Sequence, residues 1–420
     1  VIFVSLILIV LAVFGAPLFT IIATSAMVGF QSNDTELMTI ALELLSISQM
    51  PVLTAIPLFT FAGYLLSESN APGRLVRLTS AMFGWMPGGL ALVCLAACAF
   101  FTAFTGASGV TIIALGAILY PALKQDGYGD RFNLGLVTSS GSLGLLFAPS
   151  LPIILYGVVA KVSIDDLFRA GILPGLVMLF MLGGYSIWVN RENRKPLSSF
   201  SWREVRDALR EAIWELPLPF VVLGGIYSGF FAVSEAAAIT ALYVFIAEVL
   251  IYREITLRDL PRIVRESMVL VGAILMILGV SLASTYYMID AEVPQKLLAF
   301  VAELVSSPTS FLVLLLLFLL VLGAILDIFS AIVLVVPLIL PIADGFGVDQ
   351  VHLGIVFLAA MQLGYLTPPV GLNLFIASYR FNKPIMHVYS ATFPFLIILM
   401  LSVILITFLP ELSLLFVSGD

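Results

Sequence analysis

The sequence predicts an all-α polytopic membrane protein built as two inverted repeats, each holding a re-entrant hairpin and a broken span. Three observations predict it. Of 420 residues, 61% are hydrophobic and 11% charged, with a mean hydropathy of +1.14, which excludes a soluble globular chain. Two apolar stretches, 88–123 and 310–345, are each interrupted midway by polar residues: Thr105-Gly106-Ala107-Ser108-Gly109 in one, Asp327-Ile328-Phe329-Ser330 in the other. Proline and glycine recur at nearly constant offsets between the two halves.

Either stretch as one helix would be roughly 54 Å long, against roughly 30 Å of hydrocarbon. Folded at the polar break, each becomes a hairpin of two short helices with its tip inside the membrane. Non-helical backbone at that depth survives only inside protein or beside a water-filled cavity, and repeated broken helices near the midplane mark a transport site.

In chain order, apolar runs predict spans over 1–29 and within 37–66, then an amphipathic connector near 67–87 and the first hairpin. A broken span follows at 133–158 and a continuous one at 171–189. The hydrophilic stretch 191–211 reads as an amphipathic surface helix. Spans at 213–232, 235–252 and 263–289 come next. A connector near 290–308, the second hairpin, a broken span at 350–378 and a last span at 385–410 complete the path. No cleavable signal pattern is legible, and the first apolar run is long enough for a span.

Charge placement tests this path. With a cytoplasmic N-terminus and hairpins that re-emerge on their entry side, 16 of 19 Lys and Arg residues lie inside; only Lys161, Arg169 and Lys296 lie outside. Threading each hairpin as a single span scatters basic loops over both faces, so the positive-inside rule favours re-entrant hairpins. The first then opens to the cytoplasm and the second to the periplasm. Pro72 with Pro294 and Ser108 with Ser330 are 222 apart, while Pro121 with Pro341, Gly127 with Gly347, Gly144 with Gly364 and Pro149 with Pro369 are 220 apart. These matches divide the chain into a first repeat (1–190), an amphipathic helix with a connecting span (191–232) and a second, inverted repeat (233–420).

Other chemistries find little support. The net charge of −7 and the absence of a basic domain make nucleic acid an unlikely partner. Cys94 and Cys98, four apart in an apolar helix, read as packing. His352 and His387 are too far apart in sequence to suggest a haem, iron–sulfur or zinc pattern. No Walker motif, catalytic triad or metalloprotease signature appears, so the chain reads as a secondary transporter rather than an enzyme, driven by an ion gradient or the substrate's own.

Each hairpin is followed by an apolar span interrupted by glycine and proline, at 139–152 and 363–373. Proline removes an amide donor and unwinds the preceding turn, leaving carbonyl oxygens without partners. Hard cations accept such oxygens together with hydroxyls and carboxylates. A tip facing an unwound span can therefore hold Na+ once per repeat: Thr105, Gly106, Ser108, Gly144, Pro149 and Ser150 in the first, and Gly323, Asp327, Ser330, Gly364, Thr367 and Val370 in the second. Ser108, Ser150, Asp327 and Asn373 are the candidate substrate contacts. Asp327 follows an apolar run from Phe311 to Leu326, where a carboxylate needs a partner or water; it reads as a site residue and also as the cap of the second arm. Glu235 reads as a helix cap on the outer side.

Ala55-Ile56-Pro57-Leu58-Phe59-Thr60-Phe61-Ala62-Gly63, the Thr-Gly-Ala-Ser tip, Ala148-Pro149-Ser150-Leu151-Pro152, Gly171-Ile172-Leu173-Pro174-Gly175, the Glu235 segment, Leu326-Asp327-Ile328-Phe329-Ser330 and Leu366-Thr367-Pro368-Pro369-Val370-Gly371-Leu372-Asn373 together resemble the large membrane subunit of tripartite ATP-independent periplasmic (TRAP) transporters. The resemblance runs over about 50–380. It implies a sodium-coupled importer of organic acids, such as C4-dicarboxylates, sialic acid or sugar acids, in a bacterial inner membrane. It also implies two partners, a small four-helix membrane subunit and a periplasmic substrate-binding protein, and an elevator movement of hairpins and broken spans against a scaffold. The chain departs from the family at the first tip, where Ala107 replaces a common serine, and near Glu235, where Phe-Ala-Val-Ser-Glu stands for Phe-Thr-Pro-Thr-Glu. The alternatives are a stand-alone sodium/dicarboxylate symporter and a non-transporting structural subunit of a membrane complex.

Overall fold

Proline and glycine punctuate this apolar chain, and the helices end where they stand. The computed structural model describes residues 7–8, 10–11, 14–32, 36–86, 88–191, 200–305 and 307–417. Arg194, Lys195 and much of the start of the expected first span lie outside them. Among the described residues there are no strands, and eight helices are long and apolar enough to cross a bilayer.

Several expected spans are subdivided. Gly15, with φ +82°, and Pro17 precede the helix Leu18–Ser32. The expected span within 37–66 is two helices, Met38–Ile47 and Ala55–Glu68, because Pro51 forces Met50 into extended backbone and opens a 3-10 turn, Pro51–Thr54. The span expected at 213–232 is the short helix Pro217–Tyr227. The next, Val233–Phe245, runs into one wide turn at Ile246–Ile251. The longest helix, Leu260–Asp290, covers 31 residues.

Both hairpins form at the expected breaks. The first has arms Gly89–Thr105 and Ser108–Gln125; the second has arms Pro308–Ile325 and Ile328–Gly345. Each straddles the first half of its own broken span, Asp130–Ser140 or Gln350–Gly364. The second arms then cross over: Ser108–Gln125 packs on Leu372–Phe381 of the second repeat, and Ile328–Gly345 on Leu151–Ala160 of the first. This exchange, with Ile172–Val189 and Ile385–Phe408 packed outside it, makes one interlocked body. A second group, Leu18–Ser32, Ala55–Glu68, Val233–Phe245 and Leu260–Asp290, packs mainly on itself and forms a scaffold.

The first connector, Ala71–Phe83, is tied to that scaffold by a buried ionic knot. Arg74 is 6% exposed. Its Nη2 donates to both oxygens of Glu248 at 3.1 Å, its Nη1 to Glu254 and its Nε to Glu215, while the Tyr252 ring lies 3.9 Å below the guanidinium. Arg77, one turn on, reaches Glu204 and Glu211 of the amphipathic helix Trp202–Glu211. Burying Glu215 and Glu248 around a guanidinium is tolerated because each finds a donor, while Glu254 meets the same guanidinium from the solvent side.

Candidate site at the hairpin tips

The first tip closes on its break through glycines. Gly106, with φ +63°, ends the first arm and would drive a Cβ to 2.6 Å from Leu151. Gly144 lies so close to the first arm that a Cβ would meet Ala99 O at 2.2 Å. In that contact the Thr102 hydroxyl donates to Gly141 O at 2.9 Å and lies 2.7 Å from the Thr111 hydroxyl. The peptide bond before Pro149 is cis. Ser150 is turned back on its own segment, donating to Leu145 O at 2.7 Å. Thr105 Oγ1 is buried and has no protein partner.

The second junction repeats the contact with different chemistry. Gly323 and Gly364 meet backbone to backbone; a Cβ on Gly364 would stand 2.5 Å from Gly323 Cα. The peptide bond before Pro369 is also cis. Asp327 caps the second arm, its Oδ2 accepting from the amides of Phe329 and Ser330 at 3.0 and 3.1 Å, while the Ser330 hydroxyl donates to its Oδ1 at 2.5 Å. Tyr365, buried, accepts from the Ile328 amide at 2.8 Å and so fastens tip to break. The amides of Val370 and Gly371 both point to Ala324 O at 3.3 Å, and Thr367 donates to Leu363 O at 3.0 Å.

A third contact joins the two halves. Ser108 at the first tip donates to Asn373 Oδ1 in the second broken span at 2.7 Å. Asn373 is fully buried, and its amide nitrogen has no partner. Of the four candidate substrate contacts, the fold brings these two together and turns Ser150 and Asp327 toward local backbone or hydroxyl partners.

The residues suit a hard cation. Gly144 O and Gly364 O each accept one amide, from Phe147 and Thr367, which leaves a lone pair on each carbonyl. One turn along the arm from Thr102, which packs on Gly144, stands the orphaned Thr105 hydroxyl, its backbone against Gly63, and a buried hydroxyl without a partner is the sort of group a bound ion satisfies. At the second junction Asp327 supplies formal negative charge. Sequence reasoning missed Thr102, Thr111 and Gly141, whose spacing is legible only once hairpin and break are superposed. It also missed the Arg74 knot, for which Glu248 in an apolar helix was the available signal. Glu235 is the cap expected, accepting from the Ala232 amide at 3.0 Å.

Where the interlocked body leaves the scaffold there is a cleft of about 810 Å³. Gln49, Val52 and Ser234 line its scaffold side; Gly157, Lys161 and Asp165 line the other.

The family model for the DctM component of the tripartite ATP-independent periplasmic transporters matches residues 3–412. The chain is 34% identical to the C4-dicarboxylate TRAP transporter large permease protein DctM of Pseudomonas aeruginosa, over 90% of this chain and 88% of that one. It is 35% identical to the isethionate TRAP transporter permease protein DctMQ of Oleidesulfovibrio alaskensis, over 88% of this chain and 59% of that one. Among solved structures, the YdaH transporter of Alcanivorax borkumensis superposes with a TM-score of 0.61 at 12% identity, covering 89% of this chain and 87% of that one.

Proposed function

This chain belongs to the DctM component family of the tripartite ATP-independent periplasmic transporters, and we propose that within such a transporter it is the sodium-coupled path for a small organic anion. As a large permease subunit it is a multi-pass membrane transporter and not an enzyme.

The observation that carries the reading is the Ser108–Asn373 contact, in which the buried Asn373 amide keeps its N–H donors unpaired. Two N–H donors beside a hydroxyl, at the meeting point of two repeats, suit an oxygen of a carboxylate or sulfonate. The two relatives above are named for a C4-dicarboxylate and for isethionate, which share an anionic head. No basic side chain is needed if cations supply the positive field. Na+ held by Thr105, Gly106, Ser108, Gly144 and Pro149 on one side, and by Gly323, Asp327, Ser330, Gly364, Thr367 and Val370 on the other, would draw each tip toward its break and pre-form the anion site between them.

The interlocked body is proposed to move as a unit past the scaffold, with the 810 Å³ cleft as its outer access route and the Arg74-anchored connector as its fixed end. A small membrane subunit and a periplasmic binding protein complete the machine; the DctMQ relative, of which this chain spans 59%, has length for a further component.

The test is uptake of succinate and of isethionate into proteoliposomes holding the large and small subunits, with and without the binding protein and an inward sodium gradient. Uptake that requires both is expected. Sodium-dependent uptake without the binding protein would replace this reading with a stand-alone symporter, and sodium-independent uptake would remove the ion cages.

A further inference from the structure

We propose that the first hairpin carries a built-in lipid site: an apolar groove along its outer arm that holds one acyl chain of a membrane phospholipid. A cavity of about 420 Å³ lies between the arm, at Leu92, Leu95 and Ala96, and the span Ile172–Val189, at Leu179, Phe180 and Gly184. A second cavity of about 290 Å³ shares Ala96, Leu176 and Leu179 with it and continues past Ala103 and Phe104 to Phe147 and Ala148 at the break, with Pro219 of the scaffold side as its end wall. The two form one channel from the end of the connector to the hairpin tip.

Three features choose the occupant. Along the arm the channel runs from Leu92 to Phe104, about 18 Å at the helical rise, close to the roughly 15 Å depth of one leaflet, half of the ~30 Å hydrocarbon core. Its mouth, beside Phe83, Met86 and Ile187, carries an interfacial aromatic belt. All four tryptophans of the chain fall in the two segments flanking it: Trp85 and Trp188 beside the mouth, Trp202 and Trp214 on and after the amphipathic helix. Trp85 packs edge-on against Phe200, and Phe200 against Trp202. Such aromatic residues mark headgroup level. Arg191 stands over the Trp188 ring, 5.7 Å from its centroid, and brings positive charge to the same level. A protein helix, about 10 Å across with its side chains, does not enter a channel of this volume, whereas a single alkyl chain does.

The consequence is mechanical. The channel has the hairpin for one wall and Pro219 for its end, so a body that slides past the scaffold must carry, or slide over, whatever fills it. An alkyl chain keeps that contact apolar and conformable without fixing it in one register.

The experiment uses the complex of large and small subunits in detergent, titrated with dioleoylphosphatidylglycerol and read by native mass spectrometry. Gly184 lines the channel and a Cβ there meets nothing within 4 Å, so Gly184→Phe brings a ring into the channel from an open position. It is expected to remove one tightly bound phospholipid per large subunit, with a ~10-fold or greater loss of affinity as the chain's methylenes lose their contacts. Ala96→Leu, from the opposite wall, is expected to do the same, which guards against a misfolded first variant. Gly272→Phe, at an equally open position on the scaffold helix, is expected to change nothing. Equal lipid occupancy in all three and the parent would overturn the proposal. So would complete cross-linking of Phe180→Cys to the small subunit, which would identify a protein as the occupant.

Discussion

Thr105 in the first hairpin and Asp327 in the second stand 222 residues apart, at matching places three residues before Ser108 and Ser330, yet the fold treats them oppositely. The carboxylate is held by three local donors; the hydroxyl is buried with none. The connectors leading into the hairpins differ as well. The first is fixed to the scaffold by Arg74 among three glutamates. The second, Val293–Leu304, packs on the far arm of its own hairpin through contacts such as Leu298 against Gly345. Its one lysine, Lys296, is exposed and donates to Ala291 O; among the described residues it makes no ion pair. Inverted repeats thus reproduce backbone geometry, through glycine contacts and breaks, while charge is distributed between them unequally. One repeat shelters its charge in the connector, at Arg74, and the other at the tip, at Asp327, whereas Lys296 and Glu303 of the second connector are exposed.

Breaking the ionic anchor should have the largest effect. Arg74→Ala strands Glu215 and Glu248, 1% and 0% exposed, and loss of one partner of a buried pair costs about 3–5 kcal/mol. A fall of several degrees in the melting temperature of the purified complex is expected, against no measurable change for Lys296→Ala. Equal effects would mean the connectors are not different in kind.

Next come the glycine contacts, which the comparison holds to be equivalent. Gly144→Ala and Gly364→Ala each place a methyl against backbone that has no rotamer to yield, and overpacking of this sort costs about 1–3 kcal/mol. Both should melt earlier and lose most uptake. Damage from only one would show that the second contact is not needed by the working transporter.

The tips separate stability from function. Asp327→Asn keeps an effective N-cap, so melting should change by less than the ~1 kcal/mol of a lost cap, while uptake should fall at least tenfold if the charge serves a cation. Retained uptake would assign Asp327 to capping alone. The smallest structural effect is expected for Thr105→Val, which removes a hydroxyl that bonds to no protein atom. Its melting temperature should hold or rise, and the sodium concentration for half-maximal uptake should increase. An unchanged sodium dependence would remove Thr105 from the first cage.

Much of this was legible in the chain. A break in a 36-residue apolar run must turn, because neither the bilayer nor a helix of that length admits another outcome. Proline positions mark both broken spans, and Asp327 with Ser330 reads as a cap from local sequence alone. The same rule applies to Pro51, which subdivides the apolar stretch 37–66 although its flanks are apolar enough for one span. The site was legible by residue type but not by partner. Ser108, Asn373 and Thr105 stand out in the chain as polar groups near breaks, but nothing local says that Ser108 reaches Asn373, 265 residues away.

Local chemistry, readable residue by residue, dictates that the chain is membrane-embedded, that both hairpins turn at their polar breaks, and that the same device occurs twice. Hydropathy and the backbone limits of proline and glycine act over a few residues and leave their mark in order along the chain. Which tip meets which span, the crossing of the second arms between repeats, and the meeting of Arg74 with Glu215, Glu248 and Glu254 follow from packing. Those pairings depend on distances between segments remote in sequence. A buried charge or amide states that it needs a partner but not which one, and packing makes the choice.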